Sequence, residues 1–242
     1  MINSFTFNGV SSEDLGLYVG GQNTFGAPQR DVTKVSIPGR NGDLVRDNGR
    51  FLNSEISYNI VAMEDFAETA MDVRNWLMSV KGYARLEDTY HPDHYRMARV
   101  SNTISFETSA YNLTGKAQIT FDCKPQKFLK SGEQVHTMAK NASTVIRTVN
   151  NPTYFDSRPL IRVYGSGDGT ITVGNQVITL TNIVDYIDID CETMNCYNGI
   201  VNCNSKVTLG AQGFPVFPPG DTTISMTGGV TRCDVTGRWW EL

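Results

Sequence analysis

Residues 30–62 read RDVTKVSIPGRNGDLVRDNGRFLNSEISYNIVA, and this stretch decides the architecture. Arg30 to Pro38 carries Val32, Val35 and Ile37 and stops at Pro38-Gly39, the pattern of a strand with a turn at its end. Asn41-Gly42 is a hairpin signal, because both residues accept positive φ at little cost. Asp47-Asn48-Gly49 marks a second turn. From Phe51 to Ala62, Ile56, Tyr58 and Ile60 alternate with Glu55, Ser57 and Asn59, which predicts a strand with one wet face. The whole reads as an extended β-hairpin arm with a polar, Gly-rich tip. A lone hairpin is marginal in water, so such an arm must lie on something. If it pairs edge to edge with a neighbouring copy, the expected contacts are Pro38, Gly39, Arg40, Asn41, Gly42, Leu44 and Phe51. The alternative is an ordinary surface hairpin packed on its own domain. Arg40, Arg46 and Arg50 then either pair with acids of the next subunit or stay solvated.

On either side of this stretch the chain is mostly β. Phe5 and Phe7 alternate with polar residues and Gly9 ends the run; Leu15 to Val19 reads as a second strand. One amphipathic helix is expected over Glu64–Val80, with Phe66, Ala70, Leu77 and Val80 near helical spacing and Gly82 closing it. Tyr83–Leu86, Val100–Ser105 and Ala117–Cys123 read as further strands, the last stopped by Lys124-Pro125. Residues 126–135 are polar, and the domain boundary is placed there, giving domains 1–132 and 133–242. In the second half, Thr144–Val149, Leu160–Tyr164, Thr170–Val173, Gln176–Leu180, Tyr186–Asp190, Thr222–Met226 and Thr231–Trp239 read as strands. Gly165-Ser-Gly167, Gly174-Asn175 and Phe217-Pro-Pro-Gly220 read as turns. The fold class is therefore mainly β: an N-terminal α+β domain with one helix and an extended arm, followed by a C-terminal β-sandwich.

Composition narrows the function. Of 242 residues 40% are hydrophobic, enough to bury a core, and 19% are charged, so extended disorder is not expected. The net charge of -4 comes with no basic block, which argues against sequence-specific nucleic-acid binding. Cys123, Cys191, Cys196, Cys203 and Cys233 lack zinc-site spacing and are expected to be reduced thiols, some filling core. The N-terminal residues show no basic region followed by an apolar run, and no stretch has the roughly 18 apolar residues of a membrane span, so folding in the cytoplasm and no membrane partner are expected.

Sites with chemical character are few. Asp88, His91, Asp93 and His94 form the densest cluster of ligand-type side chains, but Pro92 lies between the histidines and the context is a loop, so a hydrogen-bonded surface turn is expected rather than a metal or hydrolytic site. Gly165-Ser-Gly-Asp-Gly169 lacks the helix that phosphate binding needs. Asp188 and Asp190 read as outward acids on a strand. No catalytic residue, metal or cofactor is expected. Tyr197, Trp239 and Trp240 are candidate glycan or partner contacts. Adjacent tryptophans on a strand face opposite ways, so one is expected in the core and one outside.

Several motifs then fall in a characteristic order: Val35 to Leu44, Ile56 to Ile60, Trp76-Leu77, Leu86-Glu-Asp-Thr-Tyr-His-Pro-Asp-His-Tyr-Arg-Met-Ala98, Pro159 to Gly167, Ile187 to Asp190, Phe217 to Gly220 and Arg238-Trp-Trp-Glu-Leu242. The ordered set resembles the distal tail (Dit) proteins of siphophages that infect Gram-positive bacteria, over nearly the whole chain. The resemblance implies a galectin-like shape for the C-terminal sandwich and an N-terminal domain whose copies close into a hexameric ring. It implies a baseplate hub of the virion that joins the tail tube protein to a tail-associated lysin or fibre protein, with the tape measure protein nearby. The competing reading is a carbohydrate-binding module that recognises the host wall. Galectin-like shape alone does not carry sugar binding with it.

Overall fold

The computed structural model describes residues 3–22, 24–63, 65–109, 113–140 and 145–242. The chain separates into two compact units, residues 1–127 with Leu242, and residues 128–241.

The first unit carries Phe5–Phe7 (β1), Val10–Ser11 (β2), Leu17–Gln22 (β3), Arg30–Val35 (β4), Leu44–Phe51 (β5), Ser54–Ala62 (β6), the helix Phe66–Ser79 (α1), Ala84–Asp88 (β7), His94–Val100 (β8), Glu107–Ser109 (β9) and Thr114–Leu129 (β10). Its main sheet runs in the order β2-β1-β7-β8-β10-β6-β3, with β9 on β10. Alternation on β6 works as read: Ile56, Tyr58, Ile60 and Ala62 are buried. The helix buries Ala70, Val73 and Leu77, one stripe at i, i+3 and i+7, and leaves Met71 and Met78 outside. Phe5 stacks on Tyr58 at 4.7 Å and on Trp76 at 5.6 Å, and Phe7 meets Phe121 at 5.0 Å. The Trp76 indole N–H donates to the Phe7 carbonyl, which ties the helix to β1.

Several boundaries differ from expectation. The helix stops at Ser79, three residues before Gly82. The polar loop at 88–96 is shorter, because β7 reaches Asp88 and β8 starts at His94. Val100 ends β8, and 101–106 is irregular. Pro125 does not stop β10: the ladder to β6 ends at Cys123, so on that side no amide hydrogen is needed at 125.

The second unit carries the short 3-10 turn Lys130–Glu133, then Val135–Ala139 (β11), Val145–Asn151 (β12), Leu160–Val173 (β13), Gln176–Asp190 (β14), Asn195–Asn198 (β15), Val201–Asn202 (β16), Val207–Thr208 (β17), Gly220–Thr236 (β18) and Trp240–Glu241 (β19). Three long strands, β13, β14 and β18, replace the six short ones expected. The registers show how they make a sandwich. The start of β18 lies between β12 and the end of β13; the end of β18 lies between β11 and the start of β13. Likewise β17 pairs the start of β14, and β15 its end. Core residues from both halves, such as Ile161, Val163, Ile171, Ile178, Ile189, Ile224 and Val235, belong to one buried cluster. One sheet is therefore folded over on itself.

The fold line is a seam of special backbone. Registers slip around Gly165–Gly169 and Gly228–Val230. Gly167, Asn182, Asp185 and Gly228 all take positive φ. A side chain on Gly229 would overlap the Ser166 carbonyl oxygen, and one on Gly169 would come within 2.7 Å of Val230 Cγ2. The Asp168 carboxylate accepts the Asn182 amide hydrogen at 2.9 Å and closes the bend. The glycine-rich stretch that reads as a turn is thus a bend inside a continuous strand, of the kind glycines and bulges permit.

Candidate functional site

The arm is where the molecule departs most from a closed body. Among the described residues β4 and β5 pair only with each other, in a separate two-stranded sheet, and the tip spans 36–43, with Gly39 and Gly42 at positive φ. Residues 33 to 50 are exposed without interruption. Val35, Leu44 and Val45 are 48%, 55% and 56% exposed, so about half of each of these apolar side chains is left open by the described residues. Of the expected contact residues, Pro38, Gly39, Arg40, Asn41, Gly42 and Leu44 are all exposed at or beside the tip. Phe51 sits at the root instead, half-buried, with the Arg30 guanidinium over its ring at 4.6 Å.

The second turn signal, Asp47-Asn48-Gly49, is a correction. β5 runs straight through it, and the register jumps from Arg30↔Phe51 to Val32↔Asp47. Two residues of β4 thereby span four of β5, a bulge. The extra residues wrap Asp31: Asn48 Nδ2 donates to Asp31 Oδ1 at 2.9 Å and Arg50 Nε to Oδ2 at 2.6 Å. Arg30 donates to Asp47 at 3.0 Å, and Asp47 Oδ1 accepts the Gly49 amide hydrogen. The Asn48 and Arg50 donors hold the Asp31 carboxyl below its usual range; at Asp47 the Gly49 amide does the same, and with help from Arg30 it outweighs the opposing effect of desolvation. Arg50, offered as an inter-subunit cation, is thus engaged within the arm. Lys34, Arg40 and Arg46 make no ion pair among the described residues. Residues 30–51 hold five cations and three carboxylates, a charge of +2 against -4 for the whole chain, which leaves -6 for the remainder.

Both legs of the arm are clamped. It grows from the antiparallel pair β3–β6. On the second leg, the Leu52 amide donates to Gln29 O, and Asn53 Nδ2 reaches Tyr83 Oη at 2.6 Å and Asp122 Oδ1 at 2.8 Å. Asp122 also accepts from Tyr83 and Arg99, both at 2.9 Å. Burial raises the Asp122 carboxyl, and its bonds to Arg99, Asn53 and Tyr83 more than offset this, so it stays low and ionised. On the first leg, Tyr90 Oη accepts the Gly21 amide hydrogen at 2.6 Å. Thr24 O accepts from His91 Nε2 at 2.9 Å and from Arg96 Nη2 at 3.2 Å. A carbonyl only accepts, so His91 carries its proton on Nε2.

The cluster Asp88–His94 therefore has a structural task. Asp88 accepts from the Tyr58 hydroxyl at 2.6 Å and from the His91 amide at 2.8 Å, and no group of three ligand-type side chains assembles among the described residues. Thr24 and Asn53, and the Gly21 partner of Tyr90, were invisible to sequence reasoning, because these contacts span 30 to 72 residues of chain.

In the second unit, Trp239 is 2% exposed and belongs to the core, with Phe217 at 5.9 Å. Its ring is not offered to a ligand, which corrects its place among the glycan contacts. Trp240 stacks on Phe155 at 4.5 Å and donates to Asp156 O. Tyr197 is half-buried on β15, paired across from Asp188. Asp188 and Asp190 are not outward acids: they are 2% and 6% exposed, each under an arginine, Arg162 at 2.7 and 2.8 Å and Arg238 at 2.6 and 3.3 Å. All five cysteines are buried and free; burial pushes Cys123, Cys191 and Cys233 up to about 12, so they are inert.

No family model matches the chain, and no curated protein does. Solved structures do. The Dit protein (gp 19.1) of phage SPP1, described as a paradigm of the hub adsorption apparatus in Gram-positive infecting phages, superposes with a TM-score of 0.74 over 100% of both chains at 12% identity. Chains of the phage p2 baseplate in its activated conformation, with strontium and with calcium, superpose with a TM-score of 0.53 over 97% of both chains at 10% identity. At these identities the likeness is one of fold, and it bears out at that level the resemblance read from the ordered motifs.

Proposed function

We propose that this chain is a non-enzymatic structural subunit of a phage tail tip, whose copies close into a six-fold ring through the arm. The observation that carries the reading is the uninterrupted exposure of residues 33–50 on an arm held at both legs. A two-stranded ribbon exposed on both faces buries too little to hold itself. Its free edges and its apolar Val35, Leu44 and Val45 supply what a strand-adding partner needs. The arm is basic and the rest of the chain is acidic, so a second copy of this chain is a complementary surface. An arm on one side and its receptor elsewhere make a head-to-tail contact, and head-to-tail contacts close into rings when the rotation permits. The full-length fold match to SPP1 Dit supports the same reading.

In this reading the ring is a hub in the virion. One side meets the tail tube protein and the other a tail-associated lysin or fibre protein, with the tape measure protein nearby. Pro38, Gly39, Arg40, Asn41, Gly42 and Leu44 form the inter-subunit contact, and Phe51 fixes the root. The engagement of Asp88 and His91 in the clamp supports a structural rather than a hydrolytic role.

The test is to excise residues 33–46 and join Val32 to Asp47, which face each other across the ribbon, by an Asn-Gly turn. Mass photometry and negative-stain imaging of the intact protein should show rings with a central hole. The excised variant should remain monomeric with an unchanged β-type circular dichroism spectrum. A wild-type chain that stays monomeric even with its tail partners present would refute the ring.

A further inference from the structure

Four asparagines in the chain precede a glycine: Asn8, Asn41, Asn48 and Asn198. An asparagine so placed is open to attack on its side-chain carbonyl by the next backbone nitrogen, because glycine has no Cβ to hinder the approach and its backbone turns freely. The attack needs a side-chain amide that is not held elsewhere, a glycine N–H that is not already donating, and a backbone free to rotate until the two meet.

The structure withholds these conditions from three of the four pairs. Asn48 donates Nδ2 to Asp31 at 2.9 Å and to Thr33 at 3.2 Å, and the Gly49 amide donates to Asp47 at 2.8 Å. Asn198 donates Nδ2 to Tyr186 O at 2.8 Å and to Val184 O at 3.3 Å, and it pairs with Val201 across a two-residue turn. Asn8 and Gly9, at φ 51° and 83°, form the two-residue turn between the paired Phe7 and Val10, and the Asn8 amide donates to Arg85 O at 2.9 Å. Strand pairing fixes such a turn from both sides. Asn41-Gly42 is held by none of these. Both residues are exposed within the tip, 36–43. The tip's one backbone bond among the described residues runs from Arg40 N to Ile37 O. Asn41 and Gly42 make no hydrogen bond among the described residues, and a methyl group on Gly42 would meet nothing within 4 Å.

We propose that Asn41 is a site of spontaneous deamidation in the unassembled subunit. The Gly42 nitrogen bonds to Asn41 Cγ, the Cγ–Nδ2 bond breaks, and ammonia leaves with the Gly42 proton. The succinimide ring so formed takes up one water at either carbonyl and reopens as an aspartyl or an isoaspartyl residue. Water enters and ammonia departs, with nothing oxidised or reduced. The charge of residues 30–51 falls from +2 to +1, and the isoaspartyl form lengthens the backbone of the tip by a methylene. The chemistry does not depend on ring formation. In the proposed ring the same tip lies in the contact, so this ageing falls on subunits that have not assembled.

The test is peptide mapping of the full-length protein, kept warm at mildly alkaline pH and at a dilution where mass photometry shows monomers. Trypsin cuts after Arg40, Arg46 and Arg50 and so separates the two arm pairs. Mass spectrometry then reads the exchange of NH₂ for OH in residues 41–46 against 47–50, corrected by a zero-time digest. Asn41 should convert at least about tenfold faster than Asn48, whose amide must first leave the Asp31 carboxylate; tenfold is ~1.4 kcal/mol in the barrier, no more than one hydrogen bond to a charged group contributes. Asn41 should also lead Asn8 and Asn198. In urea the four should converge, because the folded contacts and not the dipeptide set the order. Gly42→Ala should slow Asn41 and leave the other three unchanged. An unaltered 41–46 peptide would overturn the assignment. So would conversion of Asn41 no faster than Asn48 in the folded protein, or a rate indifferent to Gly42→Ala. If rings persist at every dilution, Val35→Glu with Val45→Glu supplies the monomer for the same comparison.

Discussion

At the scale of single residues, the tryptophan pair shows what local pattern can and cannot say. One tryptophan enters the core and the other does not, as expected, but not by strand alternation: β18 ends at Thr236, Arg238 takes positive φ and Trp239 precedes β19, and it is the packing against Phe217 that takes Trp239 inside. Trp239→Ala should destabilise the protein by about 3–5 kcal/mol in urea unfolding, while Trp240→Ala, half-exposed, should cost less than half of that. Asp190 offers a second test. Burial raises its pKa, but Arg238 and the amides of Thr193 and Glu192 outweigh it, and the folded value lies below the ordinary carboxylate range. A carboxylate with a depressed folded pKa contributes stability that is present above its unfolded pKa, near 4, and is lost as pH falls through the folded value. Stability should therefore decline below about pH 4, and Arg238→Met should flatten that decline while lowering neutral-pH stability by about 2–3 kcal/mol. Denaturant midpoints measured between pH 7 and pH 2 check both.

At the scale of elements, the strands of the second unit were legible and their continuity was not. Val, Ile and Thr alternation marked Leu160–Tyr164 and Thr170–Val173 correctly as extended, yet Gly165 to Gly169 looked like a stop. Glycine permits both a turn and a tight bend between neighbouring strands, and only the approach of β18 distinguishes them. Gly229→Ala, which would drive a methyl group into the Ser166 carbonyl, should cost about 2–4 kcal/mol, because backbone on both sides cannot yield. Gly167→Ala, with open space around it but positive φ, should cost only about 1–2 kcal/mol. The reverse order in urea unfolding would mean that the seam is not tight. The same ambiguity hid the bulge at Asp47-Asn48-Gly49, where residues suited to turns instead fold around Asp31. The arm was legible in outline only: Asn41-Gly42 lies in an eight-residue tip, 36–43, where a two-residue turn was expected, and Ser54–Ala62, read as part of the arm, belongs to the main sheet.

At the scale of the whole molecule, an acidic chain that carries a basic arm should assemble through partly screened attraction. Raising salt from about 0.05 to 0.5 M shortens the Debye length from roughly 14 to 4 Å, and ring yield by mass photometry should fall over that range. Arg40→Glu with Arg46→Glu should lower it at any salt. Ring yield indifferent to both would assign the contact to the apolar residues Val35, Leu44 and Val45 alone. The fixed legs of the arm have a consequence for geometry. A projection anchored at Tyr90–Gly21 and at Asn53–Asp122 leaves its parent at one set angle before any neighbour arrives, so little orientational freedom remains to be lost on contact. In the proposed ring that angle, repeated around an axis, would set how many copies complete a circle. Loosening it with Asn53→Ala should therefore leave the bond between neighbours intact and blur the count, yielding circles of mixed circumference and open arcs in place of the single size that the proposed ring requires.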